Sequence, residues 1–289
     1  MATSKTPGLK DNNHTYSSRF QYDNSRHEFS LGYLEVGTNF NPEVGFLKRS
    51  GFRKPHYFYR FTYHPSSTRI LSIEPHFSGK HWLTLETNDR ESSFEHYHVQ
   101  TIWKNGGRLG LAWNRNFERL DDSFEVHSDI FIPVGKYHFS ELIADFSTDP
   151  SATQFFNGNA AVGSFYNGKI SSFNLRGGYR IGKSLSWTGS WIGNFIKLPV
   201  GEFGAHLIGL QFKWSITPKN LLQSFSQYNS VTREIGHNIR LGILSKSSNG
   251  LYVVFNTLRN NLGFRDPHEV YRNTVSQSLF LKYTHLFEF

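Results

Sequence analysis

An alternation of apolar and polar side chains limits most strongly how this sequence can fold. In the segment SLFLKYTHLFEF, residues 278–289, Leu279, Leu281 and Tyr283 fall on one parity. Lys282 and most other polar residues of the segment fall on the opposite parity. Because consecutive side chains of a β-strand point to opposite faces of a sheet, the segment is predicted to be a strand with one apolar face.

The same two-residue period recurs along the chain, and no segment shows the 3.6-residue period of an amphipathic helix. Aromatic residues make up 16% of the chain, which also favours strands. We therefore predict an all-β, antiparallel protein. Its fifteen predicted strands are residues 15–23, 27–37, 56–64, 69–86, 92–103, 108–118, 137–146, 152–164, 170–181, 185–196, 205–216, 221–229, 237–245, 251–258 and 276–289.

The connections between these strands predict an up-and-down transmembrane β-barrel in the outer membrane of a Gram-negative cell. Short turns such as KNGG at 104–107 alternate with a second set of connections, of which 38–55, 119–136 and 259–275 are long. Short turns at one rim and longer loops at the other are typical of such barrels. The mean hydropathy of −0.48 fits this class because lumen-facing polar residues offset the lipid-facing ones. The predicted lipid-facing aromatic residues include Trp187, Trp191, Phe212 and Trp214.

The strand count predicts that residues 1–289 are one barrel domain that lacks at least one strand at its amino end. Bacterial single-chain barrels have even strand numbers and begin in the periplasm, whereas fifteen strands would begin outside. The amino end has no apolar leader, so a signal peptide is expected upstream. Unpaired strand edges are costly in lipid, so residues 1–289 alone are expected to aggregate or to oligomerise. The terminal Phe289 resembles the signal by which the barrel-assembly machinery recognises its substrates.

Several segments resemble one bacterial protein family. They are NFNPEVGFLKRSGFRK at 39–54, NRNFERLDDSFEV at 114–126, IPVGKYHF at 132–139, STDPS at 147–151, LPVGEF at 198–203 and LFLKYTHLFEF at 279–289, with KTPG at 5–8. They resemble the carboxy-terminal region of proteins in which a carbohydrate-binding family 9-like module precedes an outer-membrane barrel domain of unknown function. The resemblance implies that further strands and the sugar-binding-like module lie upstream.

Charged residues on the parity of the polar face are candidates for lining the lumen. They are Arg60, Glu141, Asp145, Arg176, Arg180 and Arg240. Opposing acidic and basic rows would orient polar solutes in a water-filled lumen. Alternatively, the same charges pair with one another and stiffen the wall.

The loop NFNPEVGFLKRSGFRKPHY contains a second set of candidates. Its charged residues are Glu43, Lys48, Arg49, Arg53 and Lys54. Long loops of barrels often fold inward as a constriction or present a binding surface. The basic residues are candidates for binding lipopolysaccharide phosphates or for selecting anions; the alternative is a solvated loop at the rim.

Metal binding, catalysis and nucleic-acid binding are not predicted. His96 and His98 share a face, but a third ligand such as His76 or Glu74 is expected several residues away, with Trp82 or Lys80 across the hairpin. Solvated lumen histidines are therefore preferred. Glu118, Asp121 and Asp122 are expected to form a salt-bridged strand end rather than a calcium site. The absence of G-x-S-x-G, H-E-x-x-H and Cys, together with dispersed basic residues, predicts no catalytic residues, no cofactor and no nucleic-acid partner, despite a net charge of +8.

The leading hypothesis is an outer-membrane barrel that passes or binds small polar solutes, with glycan-derived molecules as candidates. The expected partners are membrane lipid, lipopolysaccharide, the solute and the barrel-assembly machinery. One alternative is a plugged barrel that anchors and displays the upstream module. Another is a surface hydrolase or soluble sandwich, in which Trp187 and Trp214 would form an exposed apolar belt that a soluble monomer should lack.

Overall fold

The structure, a computed structural model, describes residues 1–8, 11–42, 45–246, 249–260 and 274–285. Within these residues the protein is all-β. Its strands are β1 Ala2–Thr3, β2 His14–Asp23, β3 His27–Val36, β4 Phe52–Phe61, β5 Ile70–Thr84, β6 Arg90–Trp103, β7 Arg108–Leu120, β8 Phe124–His127, β9 Ile130–Ile132, β10 Gly135–Ser147, β11 Gln154–Phe165, β12 Gly168–Ile181, β13 Leu185–Leu198, β14 Gly201–Thr217, β15 Asn220–Asn229, β16 Glu234–Lys246, β17 Asn249–Asn260 and β18 Thr274–Thr284.

The described strands form one large antiparallel sheet and one small one. Sixteen strands make up the large sheet, in which each strand pairs with the next along the chain and β7 pairs with β10. The small sheet consists of β8 and β9. This meander confirms the antiparallel all-β prediction, and every one of the fifteen predicted strands is present. The last predicted strand is described only to residue 285, so Phe287 and Phe289 lie outside the described residues.

Three features of the described chain differ from the prediction. A two-residue strand, β1, pairs with β2 through Ala2 and Thr15 and precedes the first predicted strand. The connection predicted at 119–136 contains a hairpin, because Asp129 turns the chain with a φ of 63° between β8 and β9. Strand β4 begins at Phe52 rather than near residue 56, so the loop before it is shorter than predicted.

The length difference between the two sets of connections rests on three segments. Three segments are long: the connections 37–51 and 121–134 and the undescribed segment 261–273. All three belong to the second predicted set of connections, the set that contains the long loops. The other members of that set are short, including the two-residue turns at 166–167 and 199–200. Those turns are shorter than the turn at 148–153 in the opposite set.

The chain divides into two compact units. Unit 1 comprises the described parts of 1–145, 161–170 and 197–201, and unit 2 comprises those of 146–160, 171–196 and 202–289. Most of the buried apolar residues of unit 1 lie at or near the ends of strands: Val36, Phe52, Leu85, Phe117, Ile132 and Leu198. Ile132, in the β8–β9 hairpin, is completely buried. Most apolar side chains in the middle of the strands are not part of this core.

Candidate functional site

Strand β7 of unit 1 shows how the two faces of the sheet differ. Leu109, Leu111 and Trp113 are 52%, 56% and 44% exposed. The residues between them point the other way, and Ala112 and Asn114 are only 4% and 7% exposed. An amide is therefore covered while leucine and tryptophan are exposed, which is the reverse of a soluble sheet that packs one face on a core.

The apolar face continues across the strands that pair with β7. Tyr97 lies opposite Trp113 and Phe77 lies opposite Tyr97, with the rings of Tyr97 and Trp113 stacked at 5.7 Å. Val99 lies opposite Leu111 in the same row. Aromatic and branched cross-strand pairs stabilise such a face. These side chains nevertheless remain exposed on the surface of the sheet, including Tyr97 and Val99.

The polar face carries a cluster of three histidines. His76 on β5 lies directly opposite His98 on β6, and Ser78 lies opposite His96. The Nε2 atom of His76 is 3.3 Å from the Nδ1 atom of His98. One ring nitrogen from each of the three histidines lies within 4.8 Å of the others, and all three side chains are half-buried.

This register corrects the predicted positions of the third histidine and of the hairpin turn. His76 was expected several residues from His98, with Trp82 or Lys80 across the hairpin. The predicted strand bounds of 69–86 and 92–103 place the hairpin turn at 87–91. The turn instead occupies 85–89, where Asn88 adopts a φ of 58° and Asp89 N donates to Thr84 Oγ1. Moving a turn by two residues moves each cross-strand partner by four, and this brings His76 to His98.

Hydrogen bonds fix the rings of two of these histidines. The Nε2–H group of His98 donates to Asp145 Oδ2 at 2.9 Å. His96 Nδ1 lies 2.6 Å from the amide oxygen of Asn114, whose Nδ2 group donates to Glu141 Oε1 at 3.0 Å. Glu141 and Asp145 therefore lie on the same face as the histidines. They contact an amide and an imidazole rather than arginines.

Further polar groups extend the network along β5. Glu74 accepts from Ser72 Oγ at 2.7 Å and from Gln100 Nε2 at 3.0 Å. Arg60 lies opposite His76 on β4, and its Nη2 atom is 2.5 Å from Glu28 Oε2. Arg60 thus occupies the predicted face, and its charge is paired. The polar face combines hydrogen-bonded carboxylates with a compact histidine group.

A cationic cluster on the same face surrounds the indole ring of Trp82. Arg49 Cζ, Lys54 Nζ and Lys80 Nζ lie 5.9, 5.5 and 5.6 Å from the ring centroid. These separations fall within the range of cation–π attraction. We call the adjoining space the Trp82 cavity. It has a volume of about 560 Å³ and is lined by Leu47, Lys48, Arg49, Phe52, Lys80, Trp82, Ser92, Ser93, Phe94, Asn116 and Glu118.

The predicted loop candidates separate into three groups. Lys48 and Arg49 lie over the polar face, since Arg49 Nη1 donates to Ser92 Oγ at 3.1 Å and its Nε atom is 3.6 Å from Glu91. Arg53 and Lys54 belong to β4 rather than to the loop, which corrects the prediction. Glu43 lies outside the described residues.

Strand alternation sends Arg53 and Lys54 to opposite faces. Arg53 Nε is 3.2 Å from Glu35 Oε2, and Glu35 is its register partner on β3. Lys54 instead lies over Trp82. Only Lys54 of the two therefore contributes to the cationic cluster.

The three predicted residues of unit 2 have different surroundings. Arg176 is exposed, and no ion-pair partner for it is found among the described residues. Arg240 is exposed with its Cζ atom 5.0 Å from the ring of Tyr252. Arg180 Nη1 donates to the carbonyl of Pro150 at 3.0 Å, so this side chain holds the turn at 148–153.

That turn has a second anchor in Asp149. Its Oδ1 atom accepts hydrogen bonds from Ser151 Oγ at 2.6 Å and from Ser151 N at 2.8 Å. These donors stabilise the carboxylate and hold the pKa of Asp149 below its ordinary value.

The acidic stretch at the end of β7 forms the predicted salt bridge. Arg119 Nε lies 3.1 Å from Asp121 Oδ1. Asp121 is thus paired in the structure, in line with the expected salt-bridged strand end. The cluster of potential metal ligands that the described residues do contain is the histidine group.

Comparisons with known proteins identify no relative. No protein family, curated protein or solved structure matches the chain. The resemblance to carbohydrate-binding family 9-like proteins therefore stays a prediction. Among the described residues no helix has the length and apolar character needed to cross a membrane.

Proposed function

We propose that the chain forms the wall of an outer-membrane β-barrel that binds or passes small polar solutes along its polar face. The observation that carries this proposal is the inverted exposure of β7, where Leu111 is 56% exposed and Asn114 is 7% exposed. Exposed apolar area costs about 25 cal/mol per Å² in water. Contact with lipid removes that cost, so a bilayer is the solvent that suits this face.

Unit 2 supports the same proposal independently. The pairing of β14, β15 and β16 places Leu210, Trp214 and Ile239 on one face. These side chains are 49%, 40% and 41% exposed. Gln223 and Arg240 pair on the opposite face. Soluble monomers rarely expose contiguous apolar patches larger than a few hundred Å².

Strand length also favours a membrane. A strand needs about 9–11 residues to cross the hydrocarbon at a tilt. Strands β5, β12 and β14 contain 15, 14 and 17 residues.

The two edges of the large sheet bear on its closure. The strand order ends at β1 and β18 within the described residues. In lipid a spanning sheet must close, because each unpaired backbone group costs several kcal/mol. Closure into a barrel is accordingly part of the proposal.

The Trp82 cavity is the solute site that we propose. An indole ring with cations held over it suits a sugar that carries a carboxylate or phosphate, because the cations can bind the anionic group. Lys48, Arg49 and Lys80 outnumber the one acidic residue in the lining, Glu118. Acidic sugars therefore match the cavity better than neutral ones do, in keeping with a glycan-derived solute.

Conductance in planar bilayers tests the proposal. The protein purified in its native form from the cell envelope should form steps of ion current, and an acidic sugar such as glucuronate should reduce that current more than glucose does. W82A and K80A should abolish the difference. W187A is the matched control, because Trp187 lies on the exposed face of unit 2 at 43% exposure.

Each outcome of this experiment has a distinct meaning. A protein that inserts but conducts no current would contradict passage and favour the plugged anchor. Current that responds equally to both sugars, or that still discriminates in W82A, would remove the Trp82 cavity from the solute path. A protein that stays monodisperse without detergent would contradict the membrane assignment itself.

A further inference from the structure

We propose that His76, His96 and His98 bind a divalent transition-metal ion, with zinc, copper and nickel as the candidates. The proposal rests on the positions of three imidazoles and their hydrogen-bond partners on β5, β6, β7 and β10. It does not depend on whether the sheet spans a membrane.

The spacing of the ring nitrogens suits metal coordination. Zinc binds imidazole nitrogen at about 2.0–2.1 Å in a tetrahedron, which places two ligand nitrogens about 3.4 Å apart. His76 Nε2 and His98 Nδ1 are 3.3 Å apart. One ring nitrogen from each of the three histidines lies within 4.8 Å of the others, so the side chains would have to move closer together for all three to coordinate one ion.

The hydrogen bond to Asp145 sets the tautomer of His98. A carboxylate only accepts, so the proton of His98 lies on Nε2, which faces Asp145 Oδ2 at 2.9 Å. Its Nδ1 atom then carries a lone pair that points towards His76. A carboxylate behind a ligating histidine is the usual outer partner of zinc-bound imidazole, and it raises the basicity of the ligand.

A relay of two residues sets the tautomer of His96 in the same way. The Glu141 carboxylate accepts from Asn114 Nδ2 at 3.0 Å, so the Asn114 oxygen must face His96. The proton of His96 therefore lies on Nδ1, 2.6 Å from that oxygen. Nε2 of His96 is left with its lone pair available to a metal.

The third histidine can present Nε2 to a metal. Its other ring nitrogen, Nδ1, is buried and makes no hydrogen bond of good geometry to a side chain, and the backbone of Glu74 is the hydrogen-bonding group beside the ring. A proton on Nδ1 would leave the lone pair of Nε2 available to a metal. A metal on Nε2 would move the proton of His76 to Nδ1 and would replace the contact with His98 by a coordinate bond.

The charges around the cluster suit a dication. Asp145, Glu141 and Glu74 lie behind or beside the histidines on the same face. Arg60, the cation opposite His76 on β4, is paired with Glu28. Imidazole ligands favour zinc, copper and nickel over magnesium or calcium. Three protein ligands leave one coordination position for water or for a carboxylate of a bound solute.

Calorimetric titration of the chelator-treated protein in detergent with Zn²⁺ tests the proposal. We expect one equivalent to bind, with D145N weakening the affinity about 10–100-fold, as loss of an outer partner does. H98A should weaken it further. H237A is the matched control, because His237 bonds Ser226 in unit 2 and should leave the affinity unchanged.

Electron paramagnetic resonance of the Cu²⁺-loaded protein gives a readout that does not rely on variants. Nitrogen hyperfine coupling from several imidazoles is expected in the native protein and should be lost when all three histidines are replaced. Equal Zn²⁺ affinity in the native and triple variants would overturn the proposal. So would the absence of nitrogen coupling in a native protein whose circular dichroism spectrum shows folded β-sheet.

Discussion

His98 and Asp145, which are 47 residues apart in sequence, face each other on the polar face of unit 1 with Nε2 and Oδ2 separated by 2.9 Å. The pair connects β6 to β10 across the intervening strand β7. Only a residue without a side chain fits beneath it, because a Cβ atom on Gly110 would overlap both His98 Nε2 and Asp145 Oδ2. The sequence of β7 is thus adapted to the pair at this position.

Replacing Gly110 by alanine should displace this pair. Overpacking of this kind typically costs about 1–3 kcal/mol, and we expect that loss in the free energy of unfolding by urea in detergent. Gly189 is the matched control, since a Cβ atom there meets nothing within 4 Å. Equal stability of G110A and G189A would show that the His98–Asp145 contact is not formed as described.

Asn114→Asp tests the relay to His96. The new carboxylate would face Glu141, which now accepts from Asn114 Nδ2 at 3.0 Å, so a hydrogen bond becomes a repulsion. We expect unfolding to become easier by about 1–3 kcal/mol, the usual cost of an unsatisfied polar group. N116D, two residues along the same face, should have a smaller effect. The reverse ranking of the two variants would argue against the relay.

Charge reversal at Arg176 and Arg180 separates a lumen residue from a structural one. R176E should shift the reversal potential towards cation selectivity without loss of stability, because Arg176 is exposed. R180E should destabilise the protein, since Arg180 Nη1 donates to the Pro150 carbonyl. Unchanged selectivity of a conducting R176E protein would remove Arg176 from the solute path.

Ser151→Ala should raise the pKa of Asp149. The Ser151 hydroxyl donates to Asp149 Oδ1 at 2.6 Å and is the main cause of the lowered pKa. A carboxylate with a lowered pKa stabilises the folded turn at neutral pH, and this contribution disappears as the pH falls through the folded-state pKa. Carboxyl chemical shifts followed by NMR should show a higher midpoint in S151A. An unchanged midpoint would exclude this hydrogen bond as the cause.

The sequence predicted the strands well because each strand carries its own two-residue period. Local order also places Glu141, Asp145 and Arg60 on the face that carries the histidines, because the parity of a strand depends only on its own sequence. Whether this face lines a lumen stays a prediction. The strand ends were less predictable. Arg53 and Lys54 were assigned to a loop, although Arg53 pairs with Glu35 and extends β4.

The histidine group required information that a single sequence does not contain. His76 meets His98 only when the turn at 85–89 is placed correctly, and an error of two residues there moves the partner by four. Arg49 and Ser92 are 43 residues apart, and their contact depends on the course of a loop. The distribution of Asp145, Asn114 and Glu141 around the histidines likewise depends on which strands are neighbours.

The central claim is that one face of the sheet contacts lipid, and the absence of native cysteine allows a direct test. Leu210 and Gln211 are adjacent in β14 and point to opposite faces, with Leu210 at 49% exposure. Single cysteines at these positions would carry a small fluorophore in reconstituted vesicles. We predict that brominated lipid quenches the label at 210 strongly and aqueous iodide quenches it weakly, with the reverse at 211. Quenching of both labels by iodide and of neither by brominated lipid would contradict the account.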